Sequence, residues 1–217
     1  MAYATALPLP SACLLALALA GSMHSGQTAA AEYTVDSAHT VVTFEVRRFG
    51  FLSQSGRFEG VTGRAVVDDR SQAAEFYFVI DDSSVRASNG ALTPIMRGEE
   101  FFDVARYPTI LYSGQQVTFS NGELTRIDGN LTLHGVTGPL TLVVTGFDCE
   151  SPSSLVDMRC VISASGTIRR SRFDMNNLSL LVADRVKLMV RAGLPVDVSS
   201  GRGRHATRMS HHSAATA

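Results

Sequence analysis

Side chains that alternate between apolar and polar for six or more residues fit only an extended chain with one buried face. This sequence alternates in that way repeatedly. In a stretch from Tyr33 onward, Val42, Phe44 and Val46 fall on one side, and Thr43, Glu45 and Arg47 on the other. Residues 73–81 place Phe76, Phe78 and Ile80 on one face. Residues 140–147 oppose Leu140, Leu142 and Val144 to Thr141 and Thr145, with Val143 joining the second face. Residues 185–196 oppose Val186, Leu188 and Val190 to Lys187, Met189 and Arg191. The pattern predicts further strands at 56–68, 109–119, 123–134 and 161–169. In 56–68 the apolar residues fall in both phases, and Gly60 and Gly63 mark a bulge or bend.

About eight strands joined mostly by short turns, with no alternation of strand and helix, predict an antiparallel all-β domain. Asn121-Gly122 is a strong hairpin signal, and residues 49–56, 68–71 and 135–139 also read as turns. Closing such a meander into a barrel removes its edges, so an eight-stranded antiparallel barrel is the expected architecture. A two-sheet sandwich is the alternative. Residues 81–105 break the period with Asn89-Gly90, Pro94 and Gly98, which predicts a loop with short helical pieces crossing the sheet. Helical character is expected at 99–105, where Phe101 and Phe102 stand beside several charges before Pro108 turns the chain extended.

The ends differ from the middle. Ala12–Ala20 is an unbroken run of small and apolar residues. It is too short to span a bilayer and matches the apolar region of a secretory signal. Ala18-Leu19-Ala20 and Ala29-Ala30-Ala31 are both small-residue cleavage patterns, and strand-like sequence starting at Tyr33 favours the second. Residues 1–10 lack Lys and Arg, which a signal normally carries, so a buried N-terminal helix is the alternative. Residues 1–31 are therefore expected to be a cleaved signal peptide, 32–197 the barrel, and 198–217 a disordered tail. A net charge of -1 over 217 residues excludes the basic surplus of a nucleic-acid binder.

Export makes the remaining cysteines informative. Cys149 and Cys160 flank a polar stretch containing Pro152 and several serines. A disulfide is expected, worth ~2–3 kcal/mol for so short a loop. Two free thiols are the alternative, and no second cysteine pair or suitably spaced His accompanies them for zinc. No nucleophile motif, metalloprotease helix or phosphate-cradling loop is present, so no catalytic residue, metal or cofactor is assigned. His39 and His134 read as exposed turn residues or as contacts to a ligand headgroup.

Four blocks carry a resemblance. They are Tyr33-Thr34-Val35-Asp36 with His39 and Phe44-Glu45-Val46; Gly56-Arg57-Phe58; residues 101–108; and residues 129–140. A weaker fifth comprises Ile168-Arg169-Arg170, Phe173-Asp174-Met175 and 182–186. In these the chain resembles the YceI-like family of exported bacterial proteins. The resemblance implies a lipocalin-like barrel that binds a polyisoprenoid or other long-chain lipid. Arg48 and Ile95 stand where members of that family commonly have His, and Arg48 suits an anionic headgroup.

The expected lining of the ligand cavity is Phe44, Val46, Phe58, Phe76, Phe78, Ile80, Phe101, Phe102, Leu131, Leu133, Phe173 and Met175, with Arg48 toward the headgroup. The same aromatics would equally serve as an ordinary core. The expected function is a periplasmic carrier for a long-chain isoprenoid (quinone-like) or fatty lipid, acting without catalysis. It would make transient membrane contact and exist as a monomer or homodimer. A filled barrel serving as an interaction or stress-related module is the alternative, and an enzyme acting on a lipid or quinone is a further one.

Overall fold

The computed structural model describes residues 31–68, 73–150 and 159–195. The expected signal peptide (apart from Ala31) and the expected tail lie outside the described residues. Among the described residues there are eleven strands: β1 (Ala31–Thr34), β2 (Asp36–Arg48), β3 (Leu52–Phe58), β4 (Val61–Asp68), β5 (Ala73–Asp81), β6 (Val85–Ala87), β7 (Thr109–Ser120), β8 (Glu123–Leu133), β9 (Val136–Glu150), β10 (Arg159–Arg169) and β11 (Val182–Pro195). One short helix, α1 (Thr93–Arg97), lies between β6 and β7. Every neighbouring pair is antiparallel, in the order β1-β4-β5-β7-β8-β9-β10-β11-β2-β3-β6.

The eleven segments make eight strands, three of them bent. β1 runs into β2 through Val35 alone, and β3 into β4 through Glu59-Gly60. β5 runs into β6 through the 3-10 turn Asp82–Ser84. β1 pairs with β4 while its continuation β2 pairs with β3 and β11. The sheet therefore closes on itself through this bent hairpin, and the expected eight-stranded barrel is present.

The bends are built by specific contacts. At the first, the Val35 N–H donates to the Gly63 carbonyl at 2.9 Å. At the second, the Asp81 N–H donates to the Gly60 carbonyl at 2.7 Å and the Glu59 N–H to the Ser84 hydroxyl at 3.2 Å. A Cβ on Gly60 would lie 2.9 Å from Asp81 Cβ and 3.1 Å from Ser84 Cβ, which is why the close approach needs glycine. Inside the third bend, the Asp81 carboxylate caps the 3-10 turn by accepting from the Ser83 N–H at 2.9 Å.

Three expectations are corrected. Residues 53–56 are not a turn but part of β3, because pairing with β2 along all four, and with β6 at Gly56, outweighs the poor strand propensity of Ser and Gly. The short helical pieces expected within 81–105 are present, with α1 at 93–97, but residues 99–105 form turns rather than helix. Pro94 suits a first turn, and Gly98 ends the helix. Residues 135–139 are not all turn. His134 and Gly135 form it with φ of 53° and 75°, and β9 starts at Val136. The Asn121-Gly122 turn is as expected, with φ of 53° and 84°.

Candidate lipid-binding cavity

The inward faces of the strands form one apolar core, and it is not uniform along the barrel. At one end Phe76 and Phe78 are buried, and Phe78 packs against Tyr112 with ring centroids 6.4 Å apart. The Tyr112 hydroxyl lies 3.3 Å from the Ile127 carbonyl and 3.4 Å from that of Leu140, sharing its one proton between them. Burial pushes its pKa up, and nearby Asp128 adds to the shift. Gly129 lets β7 approach closely here, since a Cβ on it would meet the Ser113 carbonyl and sit 2.7 Å from Gly114 Cα. This end is filled.

The other end holds a cavity of about 100 Å³. Its walls come from β2 (Val42, Phe44, Val46), β3 (Phe58), β5 (Ile80), β7 (Ile110), β8 (Leu131, Leu133), β10 (Ile168) and β11 (Val182, Val186, Leu188). Residues from the crossing segments complete it: Met96 on α1, Phe101 and Phe102 after it, and Arg170 and Met175 after β10. Phe102 closes the top. Its ring meets Phe58 edge-on at 5.3 Å and Phe44 at 5.8 Å. Backbone hydrogen bonds of this cover run to carbonyls of its own segment, among them Phe102 N–H to Met96 and Val104 N–H to Arg97. Side-chain packing therefore carries much of its attachment to the barrel.

Arg170 is the single charged residue in the lining, and it is buried. It donates to the Asn177 carbonyl at 2.7 Å and the Val182 carbonyl at 3.3 Å, and its guanidinium lies 5.8 Å from the centre of the Phe101 ring. Burial lowers its pKa, and the neighbouring Asp184 acts in the opposite direction.

Of the residues expected to line the cavity, Phe44, Val46, Phe58, Ile80, Phe101, Phe102, Leu131, Leu133 and Met175 do so. Phe76 and Phe78 belong to the filled end. Phe173 is 1% exposed and packs beside Gly138, where a Cβ would come 3.3 Å from its ring, so it too is core rather than wall. Arg48 is outside the cavity, with its guanidinium 5.5 Å from the Phe49 ring centre. Arg170 was missed, although it stands two residues after Ile168 and so shares its inward phase. His134 is not exposed. Its ring nitrogens are buried and it packs on Tyr107 at 4.4 Å. His39 is exposed, 2.6 Å from the Asp36 carboxylate.

A closed antiparallel barrel with an apolar hollow at one end defines a class of small-ligand binding barrels. Within that class the YceI-like domain pattern matches residues 33–194, and the chain belongs to the YceI-like family. A UPF0312 protein of Yersinia pestis (strain Pestoides F) is 33% identical over 133 residues, covering 59% of this chain and 69% of that protein. The crystal structure of Burkholderia cenocepacia BcnA is similar at a TM-score of 0.62 and 19% identity, covering 73% of this chain and 98% of that one. A polyisoprenoid binding domain from Saccharophagus degradans, implicated in plant cell wall breakdown, is similar at a TM-score of 0.54 and 17% identity, covering 76% and 98%. The fold and family support a lipid- or isoprenoid-binding barrel.

Proposed function

We propose that the protein is a non-catalytic carrier that holds the chain of a long isoprenoid or fatty lipid in the barrel, in the periplasm. The observation that carries this reading is the lining of the cavity, which is hydrocarbon or thioether except at Arg170. Each methylene moved out of water contributes about 0.8 kcal/mol, so a polyprenyl tail has ample driving force. The present volume of about 100 Å³ is below the ~300 Å³ at the small end of ligand pockets. A long guest therefore requires Met96, Phe101 and Phe102 to move outward together. The small volume is also the observation favouring a second reading, a filled barrel that acts as an interaction module.

Organic extraction of protein purified from its own host, followed by mass spectrometry, is expected to yield about one isoprenoid or fatty chain per barrel. If no lipid is extracted and apolar fluorescent probes do not bind, the carrier reading fails and the filled-barrel reading stands.

A Cys149–Cys160 cross-link accords with an exported protein. The β9–β10 ladder sets the two residues opposite one another, and Cys160 is buried. The exported chain is expected to take up no alkylating agent at these two positions until it is reduced. Labelling of both without reductant would show free thiols.

A further inference from the structure

Nine large hydrophobic side chains are exposed among the described residues, and six of them stand together. Phe49, Phe51 and Leu52 surround the β2–β3 turn, and Leu178, Leu180 and Leu181 occupy the loop entering β11. Phe51 is 78% exposed and Leu180 96%. The two loops are joined: the Phe49 N–H donates to the Leu181 carbonyl at 2.8 Å, and Arg48 pairs with Val182 in the β2–β11 ladder.

Local geometry does not explain these residues. Phe49 has φ 50° and Leu178 φ 55°, a region where Gly or Asn is the ordinary choice and a bulky apolar residue is disfavoured. Both loops thus hold strained apolar side chains in water. A large exposed apolar patch rimmed by polar groups marks a surface that something covers.

The surrounding charge says what. On the outer wall of the same end, Arg47, Arg172, Arg185 and Lys187 line an open groove of about 950 Å³. The one acid on it, Glu45, accepts from the Ser53 hydroxyl at 2.8 Å. The nearby Asp184 accepts from the Ser171 N–H at 2.8 Å. Apolar tips beside an excess of Arg and Lys match the boundary between acyl chains and anionic headgroups. The patch is also continuous with the cavity, because Arg170 holds the second loop through Asn177 and Val182 while lying over Phe101.

We propose that this end of the barrel docks on an anionic lipid bilayer. The Phe49–Leu52 and Leu178–Leu181 tips insert among the chains, the basic groove meets the phosphates, and the cavity's covered end faces the membrane. The proposal does not depend on what the cavity holds.

Flotation with phosphatidylcholine vesicles, with and without phosphatidylglycerol, tests it on the full chain. The chain is expected to float with the anionic vesicles and to be released by salt. Phe51→Ser with Leu180→Ser is expected to weaken that binding tenfold or more, and Arg172→Gln with Arg185→Gln to weaken it similarly and flatten its salt dependence. All these variants share residues 1–31, so a difference between them belongs to the tips and the groove. Unchanged thermal unfolding shows that the variants fold. Absence of flotation, or equal flotation by the tip variant, overturns the proposal. So does a concentration-dependent dimer that the tip variant abolishes, which would assign the patch to a second copy of the chain. Lipid extracted from the same preparations reports separately on the carrier reading.

Discussion

Between pH 4 and pH 7 the protein is expected to lose stability as the pH rises, and Asp82→Asn is expected to remove most of that slope. Asp82 opens the 3-10 turn between β5 and β6 and is fully buried. Neither carboxylate oxygen has a hydrogen-bond partner among the described residues. Burial, with a smaller contribution from Asp81, raises its pKa from 3.8 to about 7. The folded state therefore keeps a proton that the unfolded chain releases above about pH 4. Unfolding draws off that proton more readily as pH rises, so the stabilisation present below pH 4 is lost progressively up to the folded pKa and is gone above it. A shift of this size corresponds to roughly 4 kcal/mol. Asp128 and Asp184 have lowered pKa values, so their contributions are lost on acidification below pH 4, outside this window. Urea midpoints at pH 4.5, 5.5, 6.5 and 7.5 read the effect. A wild-type midpoint that does not move over this range, or an Asn variant with the same slope, would show that the Asp82 environment is wetter than the structure has it.

The second large effect is expected at Phe102. Phe102→Ala removes a buried ring from its edge-on contacts with Phe44 and Phe58, which costs about 3–5 kcal/mol in the lipid-free protein. The space it leaves joins the existing cavity. An apolar probe is therefore expected to bind the variant tenfold or more tightly than the wild type, and saturating probe to recover much of the lost stability. If the ring is ordinary core, the loss of stability appears without any gain in probe binding. The two measurements together separate a carrier with a movable cover from a filled barrel.

The barrel was legible because a period of two survives in a chain with one buried face. Phe44, Ile80, Leu131 and Leu133 could be set inward on that ground alone. Alternation gives the face but not the depth, so Phe76 and Phe78 could not be separated from the cavity walls although they belong to the filled end. The bends at Val35, Glu59-Gly60 and Asp82–Ser84 were not legible as such, since each depends on contacts between strands distant in sequence. Gly60 and Gly63 alone left a trace, as a change of phase in 56–68. Within 81–105 the helix forms at Pro94, which suits a first turn, whereas the charges and rings at 99–105 carry no cap or proline to start one. Arg170 was hidden by its charge, which reads as surface until its phase with Ile168 is counted.

The plug formed by Tyr112, Phe78 and the tight crossing at Gly114 and Gly129 makes the bore blind. On the carrier reading, a guest would thread it tail first and depart by the door it entered. Donor and acceptor would then have to present themselves to the same face of the protein, one after the other, with no relay straight through the molecule.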